Sequence, residues 1–121
     1  MTKNETALER VAPGLLDLCN ACLGLTERRI EIDQRLVAHP PGDSWRDVLW
    51  EELEALLIKL RAAVEQLAEV PAAQTAELSA KAAVLAAILR SGDAGTGPVV
   101  PEITVRALAL AVADDVVRLL G

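Results

Sequence analysis

Cys19-Asn20-Ala21-Cys22 holds the only two cysteines of the chain, at the separation found in redox dithiols and in half of a metal site. A reactive dithiol normally opens a helix that follows a strand, where the helix dipole lowers the thiol pKa. This pair falls inside a segment of helical periodicity instead. A c-type haem attachment would need His where Leu23 stands, and a zinc site would need two further ligands. The single histidine, His39, lies more than about four helical turns away. The two thiols therefore read as small apolar residues on buried stripes, and no metal or cofactor is expected.

His39 has Asp43 and Ser44 close by in sequence, the residue types of a general-base triad. They sit in His39-Pro40-Pro41-Gly42-Asp43-Ser44, a run whose prolines and glycine make a turn, where polar residues gather for solvation and capping. Glu51, Glu52 and Glu54 could hold a cation, but one helix cannot aim all three at one ion and no loop supplies carbonyl oxygens. No His follows any Glu at the Glu-x-x-His spacing of di-metal bundles. The loop from Asp93 to Pro98 has two glycines but neither the preceding strand nor the following Lys of a phosphate cradle. No catalytic residue and no small-molecule site is expected.

Two charged positions stand out. Arg29 occupies an apolar stripe, either paired across a hairpin with Glu52 or Glu54 or, the preferred reading, at an edge with its stem buried and its head in water. Asp114-Asp115 opposes the dipole near the end of the last helical segment, a feature that can mark contact with an Arg on another element.

The elements that would carry these residues are helices. Leu49, Leu53, Leu56, Leu60, Ala63 and Leu67 alternate four- and three-residue steps, the repeat of a helix committed to helix partners. Trp50, Leu57 and Val64 widen that face enough for two neighbours, which favours a bundle over a two-stranded coiled coil. Ile58 projects from the opposite, charged side. Before it, Leu8, Val11, Leu15, Leu18, Cys22, Leu25, Arg29, Ile32 and Leu36 form one stripe, with Leu16, Cys19, Leu23, Ile30 and Val37 beside it. Thr6 and Glu9 have capping-box spacing, yet Pro13 predicts a kink or a fresh start.

The Pro-Pro turn ends this first helix, and Ser44 reads as the N-cap of the next, with Asp47 three residues on. So short a connection implies a long antiparallel hairpin. Thr75 reads as the third N-cap and Gly92 as that helix's stop. Between them Ala76, Ala80, Ala83 and Ala87 run down one side and Leu78, Ala82, Leu85 and Leu89 down another. The last segment, from Pro101 or Glu102, is apolar around most of its circumference. The reading is all-α: one domain, residues 1–121, a small antiparallel bundle of four helices near 13–38, 45–69, 76–90 and 102–120, built on a long αα-hairpin.

Composition agrees. Of 121 residues 52% are apolar, yet Phe and Tyr are absent and only Trp45 and Trp50 are aromatic, so the core is Leu, Ile, Val and Ala. The net charge of −6 is concentrated between Asp43 and Glu69, where seven acids face three bases. Such a surface is a poor phosphate binder, which excludes a nucleic-acid partner. The longest uncharged stretches fall short of the ~20 residues of a membrane span. The first residues lack a signal peptide's apolar region. A cytoplasmic protein with reduced thiols is expected.

The stretch from Leu67 to Ala82 and that from Leu110 to Leu119, both rich in Ala and Leu, resemble a pattern seen in short bacterial helical proteins to which no function is attached. The two stretches make up 26 of the 121 residues. It implies a bacterial origin and the helix boundaries, and it brings no site residues.

The apolar supply exceeds what one small domain can hide. The functional expectation is a non-catalytic interaction or assembly protein, pairing with itself as a homodimer or with a partner's helix, through Ile58, Ile103, Leu110 and Val117. Leu110, on the side shared with Arg106 and Asp114, is the first choice for the contact. A small regulatory adaptor, antitoxin-like or encoded by a phage or mobile element, is the alternative.

Overall fold

A computed structural model describes residues 14–39, 42, 44–94 and 100–121 of the chain. Among them the backbone forms four helices and no strand: α1 (Leu15–Ala38), α2 (Ser44–Glu69), α3 (Thr75–Ala94) and α4 (Glu102–Leu120). This is the all-α antiparallel bundle that the spacing predicts. Leu8, Val11, the Thr6–Glu9 spacing and Pro13 lie outside the described residues. α1 opens behind Gly14, whose carbonyl accepts the first helical bond from the Leu18 N–H at 3.1 Å.

The α1–α2 turn uses Gly42 at φ +93°, a conformation that costs a residue with a Cβ. Arg46, in the first turn of α2, donates from Nη1 to the carbonyls of Leu36 and His39 at 2.6 and 2.9 Å. It thereby satisfies acceptors that the end of α1 leaves open. His39 is the C-cap of α1, while Asp43 lies outside the described residues. Ser44 is the first residue of α2 itself.

At the start of α3 the Gln74 carbonyl accepts from Glu77 and Leu78, both at 3.1 Å. The cap position is thus Gln74 rather than Thr75. Glu77 reaches back to the Ala73 N–H at 2.7 Å, occupying one of the donors left over at a helix start.

Each helix packs on two others: α1 on α2 and α3, and α4 on α2 and α3. Arg29 of α1 reaches the Ser91 carbonyl of α3, and nearer the start of both helices the Lys81 charge acts on Cys19, so α1 and α3 run in the same direction. The α2–α4 groove is lined by Arg61, Ile103 and Ala107, and further along Ala72 meets Asp115. α2 and α4 therefore also run together, and the bundle is two antiparallel hairpins packed side by side.

The core divides in two. The larger part draws Leu15, Cys19 and Cys22 from α1, Leu60, Val64 and Leu67 from α2, Val84 and Ile88 from α3, and Leu108 from α4. The second, around Ile32, Leu36, Leu49, Leu53 and Leu56, belongs to α1 and α2 alone. Toward its turn the first hairpin is thus a two-helix structure. That explains why Trp50 and Val37, expected on buried faces, are exposed; Leu16, at the opposite end of α1, and Ile30, which borders a shallow groove with Ala87, Arg90 and Ser91 of α3, are exposed as well.

Two further expectations are corrected. The buried line of α3 is Leu78, Lys81, Val84, Ile88 and Ser91: it shares only Leu78 with the expected Leu line, whose Leu89 is exposed, and runs between that line and the Ala line. Gly92 does not stop α3, which continues to Ala94. The Ser91 carbonyl at that end accepts from Arg29 at 2.9 Å, and Ser91 Oγ donates to the Ile88 carbonyl at 2.9 Å.

Candidate interaction surface

α4 has two faces of opposite kind. Thr104, Leu108 and Asp115 point inward and are buried, with Val105, Val112 and Leu119 packed partly against the core. Ile103, Leu110 and Val117 recur every seven residues along the outer side and are 76%, 60% and 71% exposed, with Leu120 at 64%. A repeat of seven keeps side chains on one slowly drifting line of a helix. The outer line carries Arg106, Ala107, Ala113 and Asp114 between its apolar residues, all exposed.

The setting of this face is fixed from beneath by buried charges. Lys81 of α3 is 0% exposed. Its Nζ donates to Asp115 Oδ2 of α4 at 2.7 Å and to the Val70 carbonyl at 2.8 Å. The other oxygen, Asp115 Oδ1, accepts from the Ala72 N–H at 3.3 Å and from Arg118. One carboxylate thus joins α3, α4 and the α2–α3 connection.

Burial alone would raise the Asp115 pKa, but the bonds from Lys81 and Arg118, the Lys81 charge and the Ala72 N–H outweigh it and hold the carboxyl below its ordinary 3.8. A carboxylate tied at both oxygens admits one rotation of α4 about its axis. That rotation turns Ile103, Leu110 and Val117 outward.

Asp114-Asp115 therefore resolves into two roles. Asp114 is exposed, and Asp115 is the buried partner of a cation on another helix, Lys81 rather than an Arg.

Neither expected arrangement of Arg29 is found. It is 3% exposed, with Nε 3.1 Å from Asp33 Oδ2 on its own helix and Nη1 on the Ser91 carbonyl. The hairpin-spanning pair belongs to its neighbour: Arg28 donates to Glu52 from Nε at 2.6 Å and from Nη2 at 2.8 Å. The guanidinium hydrogen bonds draw the Glu52 carboxyl below its ordinary value. Glu51 and Glu54 point to water, so the acidic run does not converge.

Cys19 and Cys22 are free thiols, 1% and 0% exposed. Burial pushes the Cys22 thiol up to about 11, helped by Cys19, and raises Cys19 as well. A thiolate is the reactive form, so both sulfurs are doubly protected. Alkylation of the folded protein by iodoacetamide near neutral pH is expected to be at least about a hundredfold slower than in urea, because it must await opening of the main core. Equal rates in the two conditions, or stoichiometric zinc or iron in fresh protein, would overturn the structural role given to these cysteines.

Among the described residues no three His, Cys, Asp or Glu side chains converge as a ligand set. No described helix is long and apolar enough to cross a membrane. Ile58 is 72% exposed on α2, about one turn before Arg61 and two before Glu65, which face Ile103 and Ala107 across the α2–α4 groove. The four residues singled out from sequence as contacts, Ile58, Ile103, Leu110 and Val117, are all at the surface. What the spacing does not reveal is the Lys81–Asp115 pair that orients three of them. No protein-family model, curated protein or solved structure matches the chain.

Proposed function

We propose that this chain is a non-catalytic interaction protein that works through the outer face of α4. One observation carries the reading: a helix already anchored to the core by Leu108 and Asp115 presents a second apolar line, Ile103, Leu110, Val117 and Leu120, to water. That line is about 26 Å long at the helical rise. Exposed apolar side chains rimmed by polar ones, as here by Arg106 and Asp114, suit a contact surface, and amphipathic helix faces are a recurrent means of recognition between proteins.

A photo-crosslinking amino acid at position 110 tests the proposal, with exposed Gln34 of α1 as the control position. In the cell that makes the protein, position 110 should yield a discrete protein adduct, with the chain itself or with another protein, and position 34 should not. No adduct at position 110, or the same pattern at both positions, would sink the idea.

A further inference from the structure

We infer that the occupant of the α4 face is a second copy of this chain, docked antiparallel about a two-fold axis at Leu110. The inference rests on the interaction reading above and deepens it. The order of charges beside the apolar line supports it: Glu102, Arg106, Asp114 and Arg118, alternating negative and positive along α4. Read backwards, that order is its own complement.

In an antiparallel pair centred on Leu110, residues equally far before and after it lie at the same level. Ile103 then meets Val117 of the second copy, and Leu110 meets Leu110. Arg106 lies level with Asp114 of the second copy across the seam; Glu102 and Arg118 are level on its two outer flanks, where Arg118 stays on its own Asp115. Each opposite-charge match occurs twice by symmetry, as an isologous interface requires. A parallel pair would instead set Arg106 beside Arg106, Asp114 beside Asp114 and Glu102 beside Glu102, so like charges would oppose at every level.

Within one chain, Arg106 has only a long contact with Glu102, 3.6 Å between two exposed side chains. It can turn to a better partner at small cost. Small Ala107 and Ala113 flank Leu110 at equal distances on either side, which lets two α4 helices approach closely. The antiparallel arrangement also sets the two helix dipoles head to tail.

The experiment has three arms, each on the full chain. Light scattering coupled to size exclusion should show a dimer at high micromolar concentration that Leu110→Glu converts to a monomer of unchanged helical circular dichroism. Arg106→Asp and Asp114→Arg should each weaken the dimer by roughly tenfold or more, since each replaces two attractions by two repulsions. The variant carrying both changes should return close to wild type, because the swapped order is again self-complementary.

Orientation is read by single cysteines at the outer face, where buried Cys19 and Cys22 do not compete. Mixed Ile103→Cys and Val117→Cys proteins should form the mixed disulfide, and neither alone should link to itself. A monomeric wild type, a dimer indifferent to Leu110→Glu, no rescue by the double charge swap, or self-linking of Ile103→Cys would overturn the inference. If position 110 crosslinks only to another protein, the antiparallel dimer fails while the interaction reading stands.

Discussion

Asp115→Ala is expected to cost about 3–5 kcal/mol of stability, the range for stranding one member of a buried ion pair. That is a large share of what holds a domain of this size together. The reason is Lys81: with the carboxylate gone, a fully buried ammonium keeps only the Val70 carbonyl. Lys81→Met should cost less, since Asp115 retains Arg118 and the Ala72 N–H. Replacing both, as Lys81→Met with Asp115→Leu, should recover most of the loss, because two apolar side chains fill the space with no charge to desolvate. Urea unfolding of these proteins and of the Asp115→Leu single variant, which closes the cycle, decides it. Additive losses in the double variant would show that the pair is not coupled.

The same carboxylate sets the behaviour in acid. Its folded pKa lies below the ordinary 3.8, so the unfolded chain takes up the proton first as pH falls. The stability contributed by Asp115 is complete above the ordinary carboxylate range and lost as pH drops through the lowered value. The double variant should therefore show a flatter acid limb than wild type. It also separates stability from specificity: if Asp115 fixes the rotation of α4, a double variant that folds well should still assemble less selectively than wild type.

How legible this architecture is in the sequence differs from helix to helix. On α2 the alternating steps name Leu49, Leu53, Leu56, Leu60 and Leu67 as buried, and they are. The drift of a straight helix against a seven-residue repeat carries Val64 into the core in place of Ala63. On α1 the pattern places Cys22, Ile32 and Leu36 correctly and overstates the second stripe, whose Leu16, Ile30 and Val37 are exposed, because it cannot show how far round α1 the neighbouring helices reach.

The buried charges are the hardest to read. A lone Lys among alanines looks like a solvated position, although Lys81 falls three residues after Leu78 and three before Val84, on the line that turns inward. Asp115 looks like a cost to the helix until the cation opposite it is known. Periodicity belongs to one helix and pairing to two. The outer face of α4 inherits both limits: its apolar residues are visible in the sequence, but which of them point outward is decided by Thr104, Leu108 and Asp115 pointing inward.

Arg29 is the second place where one substitution should have a large effect, and there the consequence is regional. Its guanidinium, with the side chain 4% exposed, bridges Asp33 on α1 and the Ser91 carbonyl near the end of α3. Asp33 already has one buried oxygen, Oδ1, without a hydrogen bond, so it depends heavily on Arg29 for its other oxygen. Arg29→Ala would remove that partner, strand the Ser91 carbonyl and leave a gap between two helices, at about 3–5 kcal/mol for a broken buried pair. Arg29→Lys should recover only a minor part, because a single ammonium cannot reproduce a planar fork that reaches both acceptors.

The loss should be visible before the whole chain unfolds. α3 continues through Gly92, a residue that costs a helix interior about 1 kcal/mol relative to Ala, and the tie from Arg29 to Ser91 offsets that weakness. Without it, amide exchange at residues 88–94 should accelerate well beyond that at Val64 and Leu67 in the main core, as expected for a local opening. Uniform acceleration along the chain would indicate that Arg29 supports the bundle as a whole. An Arg29→Lys protein as stable as wild type would show that charge alone, without the bridge, holds the end of α3 in place.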